Sequence, residues 1–304
     1  MKPEVFAVVM ATGIVSISAL DHGYGVISWP LAVLAALGLP VLMCLAATRW
    51  RSFDLRSIDT IVGLFTYVAA CAVVAARFAE HRPALSILGA MALAGWMALI
   101  PTLLVRMRQL GPTGLRDRAR GTWELASVGT SGVSMIFMAE GIMFWAFTFW
   151  VVALALYCLM TALIAWRALG DREVRRNVPA DHWILMGGAA IATLAGERIF
   201  VELPPGPTAE AVRVLTVVTF IVATVQIVPL ALASWRQILD WPAVFPLGMY
   251  SVAGYGLAFE TGWHALSVVS LGFFWIAFAA WLAVVGVLAG RVIRLTSKHG
   301  LRPE

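Results

Sequence analysis

Residues Trp241–Glu260 read WPAVFPLGMYSVAGYGLAFE. The stretch matches the length of a membrane-spanning helix, about 20 residues, and carries no charge before Glu260. It is nonetheless a poor helix to set against lipid. Pro242 and Pro246 stand in its first turns, Gly248, Gly254 and Gly256 remove side chains further on, and Tyr250, Ser251 and Tyr255 bring hydroxyls. Pro246 also removes a backbone donor that hydrocarbon cannot replace. Such a helix belongs inside a bundle, beside a water-filled path. Phe245 is then a bulky apolar side chain at the start of a small-residue lining.

The whole chain supports a membrane setting. Of 304 residues, 61% are apolar and 13% charged, against about 25% charged in a soluble domain; mean hydropathy is +0.87. Net charge is +5, but the basic residues lie in short loops. They therefore speak for orientation in a bilayer and not for a nucleic-acid partner. Cys44, Cys71 and Cys158 all fall in apolar segments, which implies neither a disulfide framework nor a metal site. The apolar N-terminus is read as a first span, since Thr12, Gly13, Ser16 and Ser18 interrupt any signal-peptide core.

Ten spans follow: 4–20, 28–48, 59–79, 83–105, 122–139, 142–166, 181–200, 211–234, 241–259 and 265–290, forming one transmembrane domain over 1–304. With these spans, 18 of the 22 Lys and Arg fall on one side, among them Arg106, Arg108, Arg116, Arg118, Arg120, Arg172, Arg175 and Arg176. Only Arg77, Arg82, Arg198 and Arg213 fall on the other. This asymmetry predicts a multi-pass protein of the plasma (inner) membrane with both termini in the cytoplasm.

The odd spans each end with an acid: Asp21, Glu80, Glu140, Glu197 and Glu260, separated by 59, 60, 57 and 63 residues. The chain reads as five copies of a two-helix hairpin. Even spans are uniformly apolar and aromatic. Odd spans carry small and hydroxyl residues, as in MATGIVSIS and SVGTSGVS. The expected fold is an all-α integral membrane protein with an inner ring of five odd helices around a central pore and five even helices outside. Tight helix packing is the plainer account of the small residues, and the repeat favours the ring.

No ionisable residue lies near the middle of an odd span. Strongly coupled transporters place such groups at mid-membrane, so weak binding behind an apolar constriction is the better fit. Candidate pore-lining residues are Thr12, Gly13, Ser16, Gly129, Thr130, Thr193 and Gly248, with Phe245 and Pro246 as the gate. Gly129–Gly132, GTSG, matches the motif of intramembrane serine proteases. The five histidines, however, lie in loops or at span ends, leaving that serine without a base. No enzyme activity, cofactor or metal is expected. Arg77 with Glu80, and Glu197 with Arg198, read as local pairs.

FAVVMATGIVS from Phe6 and VFPLGMYSVA from Val244 resemble the first and ninth helices of the tellurite-resistance/dicarboxylate transporter family; WELASVGTSGVS from Trp123 resembles the fifth more loosely. That family includes plant slow anion channels, bacterial tellurite-resistance proteins, and fungal malate and sulfite transporters. The resemblance implies a homotrimer with a pore in each subunit and a ninth-helix phenylalanine that blocks it, here Phe245. It departs in that spans 1, 3, 5 and 7 hold no internal proline. The function expected is an anion channel or facilitator for small inorganic or dicarboxylate anions, running outward. A proton-coupled carrier of C4-dicarboxylates or sulfite is the alternative, and cation permeation follows if the terminal acids line the mouth.

Overall fold

The computed structural model describes residues 3–171, 178–234 and 241–299, with side chains described to 233 and, in the last segment, to 290. Arg172, Arg175 and Arg176, counted above among the basic loop residues, lie outside the described residues. Ten long helices account for nearly all of it: α1 (Ala7–Asp21), α2 (Gly25–Thr48), α3 (Ile58–Arg77), α4 (Arg82–Arg118), α5 (Leu125–Ala139), α6 (Met143–Gly170), α7 (Trp183–Glu202), α8 (Pro207–Ser234), α9 (Trp241–Thr261) and α10 (His264–His299). Short 3₁₀ turns precede α1, α5 and α7. There are no strands among the described residues.

Each odd helix returns through a brief turn into the next even one. Gly23, Gly141 and Gly262 close three of these turns at φ of +79°, +77° and +71°, a region an L side chain enters only at a cost. The five hairpins pack side by side. Along the inside, α1 touches α3, α3 touches α5, α5 touches α7, α7 touches α9, and α9 returns to α1. The odd helices therefore form a closed ring, and the even helices surround it. The element at Gly111 (φ +67°) is a break: the membrane part of α4 ends there, and a separate turn continues to Arg118.

Burial follows the two layers. In the most apolar window, 83% of α3 and 78% of α7 is buried, against 28% of α2, α4, α8 and α10. Exposed Trp29, Leu37, Ile87, Phe144 and Val225 give the outer helices a face suited to lipid. Eight helices are long and apolar enough to cross a membrane by length and composition, and α5 and α9 are the two that are not. Both are ring members, so protein covers them, and the hydropathy that lipid demands is not required of them.

Candidate functional site: a cavity bordered by Phe245

A cavity of about 700 Å³ opens at the end of the ring where the odd helices begin. Every odd helix, or the turn leading into it, contributes to its wall. Arg120, Asp181 and Trp241 lie near the start of these segments, while Met10, Thr66, Leu125, Ile184 and Phe245 lie further along. Phe245 has no exposed surface. It borders the cavity with its ring packed into the core and not projecting into the space. Met10, Leu125 and Ile184 bring apolar side chains to the same wall from three other odd helices, and Thr66 brings a hydroxyl from α3.

The N-terminal segments of α1, α5, α7 and α9 border this cavity, while α3 reaches it through Thr66, further along the helix. Each N-terminus carries roughly half a positive charge through its unsatisfied N–H groups, which suits an anion. Arg120 also stands at the mouth, between Asp59 at 3.3 Å and Asp181 at 3.9 Å. Trp123 Nε1 donates to the other oxygen of Asp59 at 3.1 Å. Arg120 was expected to be an orientation charge. Here it ties together the entries to α3, α5 and α7, and two carboxylates offset its charge. Glu4 lines the cavity as well, so its wall holds two acids, Glu4 and Asp181, beside Arg120.

The other sequence-predicted lining residues stand elsewhere. Thr12 accepts from Trp281 Nε1 of α10 at 2.9 Å, and Thr130 accepts from Trp96 Nε1 of α4 at 2.8 Å. Ser16 Oγ donates to the Ser28 carbonyl of α2 at 2.8 Å, and Ser28 Oγ returns the bond to Ser16. The Thr193 and Thr219 hydroxyls meet at 2.9 Å between α7 and α8. All four hydroxyls thus face an outer helix. The glycines face ring neighbours: Gly13 lies against Val73, Gly129 against Phe65 and Gly248 against Ile14. Gly188 against Ser127 and Gly187 against Pro246 complete the set, so each of the five ring seams has a glycine at its contact. These contacts are packing contacts, and the cavity wall is built from other residues.

Two further expectations are corrected. Arg77 makes no ion pair with Glu80 within 4 Å. It donates to Ser16 Oγ at 3.1 Å and Ser28 Oγ at 3.2 Å and stacks over Trp29. Helix α7 runs to Glu202, so Glu202 is its terminal acid. Glu197 lies inside the helix and is buried, while Arg198 is exposed. They form no ion pair within 4 Å, although the charge of Arg198 acts on Glu197 from further off. Adjacent letters cannot report this, because consecutive helix residues are about 100° apart.

Sequence reasoning passed over Glu124. It is fully buried, and its two oxygens accept from Ser127 at 2.9 Å and from Thr161 of α6 at 2.6 Å. The signal was a lone acid followed three residues later by a hydroxyl at the head of a small-residue helix. Ser131 of the GTSG motif is buried with no hydrogen-bond partner, so nothing activates it as a nucleophile. His22, in the turn after α1, lies 2.9 Å from Ser270 Oγ. Burial holds its imidazole below the usual histidine range.

The family model for voltage-dependent anion channels matches residues 1–288. The chain belongs to that family. This confirms the tellurite-resistance/dicarboxylate transporter resemblance, and the family consists of channels and transporters, not enzymes. Two uncharacterized membrane proteins of Mycobacterium tuberculosis, from strains CDC 1551 / Oshkosh and ATCC 25618 / H37Rv, are each 36% identical to it. Each match covers 41% of this chain and 71% of the relative. The chain is thus a multi-pass membrane protein of an anion-transporting family.

Proposed function

We propose that this family member is a passive anion channel or facilitator gated by Phe245. The observation that supports the reading is the position of that ring: it is buried in the wall of a cavity to which all five odd helices contribute. Anions gather in the cavity because the helix ends favour negative charge. They stop at the apolar side chains of this wall, which offer no hydrogen bonds to replace water. Pro246 follows the gate directly. Its missing N–H breaks one bond to the preceding turn, so the segment carrying Phe245 can swing more readily than an unbroken helix.

In this reading the cavity faces the cytoplasm, as the excess of basic residues on that side supports, and the favoured direction is outward. The permeant species are small inorganic or dicarboxylate anions. The subunits form a homotrimer of the plasma membrane, each with its own pore, which native mass spectrometry tests directly. The test of the gate is a reversal-potential series in planar bilayers, wild type beside Phe245→Ala, with chloride, nitrate, sulfite and malate. Anion-selective current enlarged by the substitution is expected. Unchanged conductance removes Phe245 from the gate, and cation-selective current overturns the reading of the ion.

A further inference from the structure

At the opposite end of the ring, Glu197 breaks the pattern of the other acids. Its side chain is 4% exposed, and Oε1 accepts no hydrogen bond from the protein. The carboxyl lies against Gly256 of α9, where a Cβ would overlap Oε2. A glycine on the facing helix therefore makes room for this carboxyl, and the counter-charge that acts on it, Arg198, stands beyond ion-pair distance. Among the described residues no cation lies within ion-pair distance.

The charged surroundings can be named helix by helix. On α9, Glu260 acts on Glu197 as a like charge, and its own Oε2 is buried without a partner. On α7 itself, Arg198 is exposed and reaches Asp21 at the end of α1 as well. On α8, Arg213 acts on Glu260 and lies 3.9 Å from Glu210. The sides turned to α5 and α6 are apolar, with Ala146, Trp150, Ala195 and Ile199 in one cluster. An ionised carboxylate held without a partner is far more costly to bury than the neutral acid. The geometry therefore suits the acid and not its anion.

We propose that Glu197 is a proton-binding site set into the α7–α9 seam, and that departure of the proton opens this seam to anions. The proton comes from water at that end of the ring and returns to it. With the proton bound, the neutral carboxyl fits beside Gly256 and the seam stays packed. Without it, a bare carboxylate faces Glu260, and repulsion and the demand for hydration draw α7 and α9 apart. Helix α9 also carries Phe245, so the two ends of the pore share one moving element. Flux rises with pH on the side that Glu197 faces.

The flux part rests on the anion-permeation reading, while the protonation part does not. Two measurements keep them separate. The first is infrared difference spectroscopy of the purified chain in lipid nanodiscs through a pH titration. Wild type is expected to show the carbonyl band of a protonated carboxyl in an apolar setting. Glu197→Gln removes intensity from it that Glu124→Gln and Glu260→Gln leave in place. A spectrum unchanged by Glu197→Gln overturns the site, whatever the flux does.

The second is conductance against pH at that end of the ring, in the Phe245→Ala background. One titrating group changes its proton occupancy ratio about tenfold per pH unit. Conductance is therefore expected to rise by up to about tenfold per unit and then level off, and Glu197→Gln to stay flat at the low-pH value. A pH step retained in Glu197→Gln overturns the coupling. Should that variant not fold, Gly256→Ala crowds the carboxyl without removing it. A shifted midpoint supports the proposal, and a profile superimposed on the parent's overturns it.

Discussion

The inner and outer rings are built from the same kind of element and solve different problems. An outer helix such as α2 is buried over 28% of its apolar window and turns the rest to lipid. An inner helix such as α3 is buried over 83%. The outer helix must be apolar because lipid leaves polar groups unsatisfied. The inner helix must be thin, because five helices have to close around one axis. Hence each of the five inner seams has a glycine, and the hydroxyls of Thr12, Ser16, Thr130 and Thr193 lie between inner and outer helices. Among the described residues hydrophobicity alone finds the five outer helices together with α1, α3 and α7, and misses α5 and α9.

The largest effect expected from breaking this contrast is a charge on the outer face. Val225 of α8 is 67% exposed. Val225→Lys is expected to cost about 2.5–3.5 kcal/mol if that face meets the bilayer centre, measured as loss of membrane-inserted protein. Normal insertion and stability would mean that α8 faces water or another subunit.

Next in size is a pair of glycines. At Gly129 a Cβ would come within 2.9 Å of Phe65 at the α3–α5 seam, whereas at Gly272 of α10 there is nothing within 4 Å. Gly129→Leu is expected to destabilise by at least the ~1–3 kcal/mol of an overpacked core, and Gly272→Leu to be nearly silent. Thermal denaturation in detergent with size-exclusion detection reads both. Equal losses would erase the distinction between seam and surface.

The smallest effect concerns the hydroxyl clasps. Thr130→Val keeps the shape and removes the acceptor for Trp96 Nε1. Such bonds within a membrane are worth about 0.6–2 kcal/mol, so a modest loss is expected, with no change in ion selectivity. A selectivity change at unchanged stability would return Thr130 to the pore.

Much of the architecture was legible in the sequence because it rests on one-dimensional signals. Apolar runs set the number of spans, basic loops set their alternation, and the spacing of the terminal acids set the hairpin repeat. Phe245 stood out in the sequence as a bulky side chain before proline in a small-residue helix, and the structure packs it in the core beside the cavity. The roles of Thr12, Ser16, Thr130 and Thr193 were not legible. A hydroxyl on an inner helix can face the axis or the outer ring, and those directions differ only by rotation about the helix.

Composition and order by themselves determined that this is a helical membrane protein of paired spans, because lipid constrains each residue separately. Only the tertiary structure decided which face each inner residue turns where. It brought Met10, Thr66, Leu125, Ile184 and Phe245 to one cavity from positions about sixty residues apart. It set Arg120 between two carboxylates, and it buried Glu197 against a glycine on another helix while leaving Arg198 exposed. The physical reason is that a seam is a property of two helices. Neither sequence segment specifies the rotation at which they meet until the ring closes.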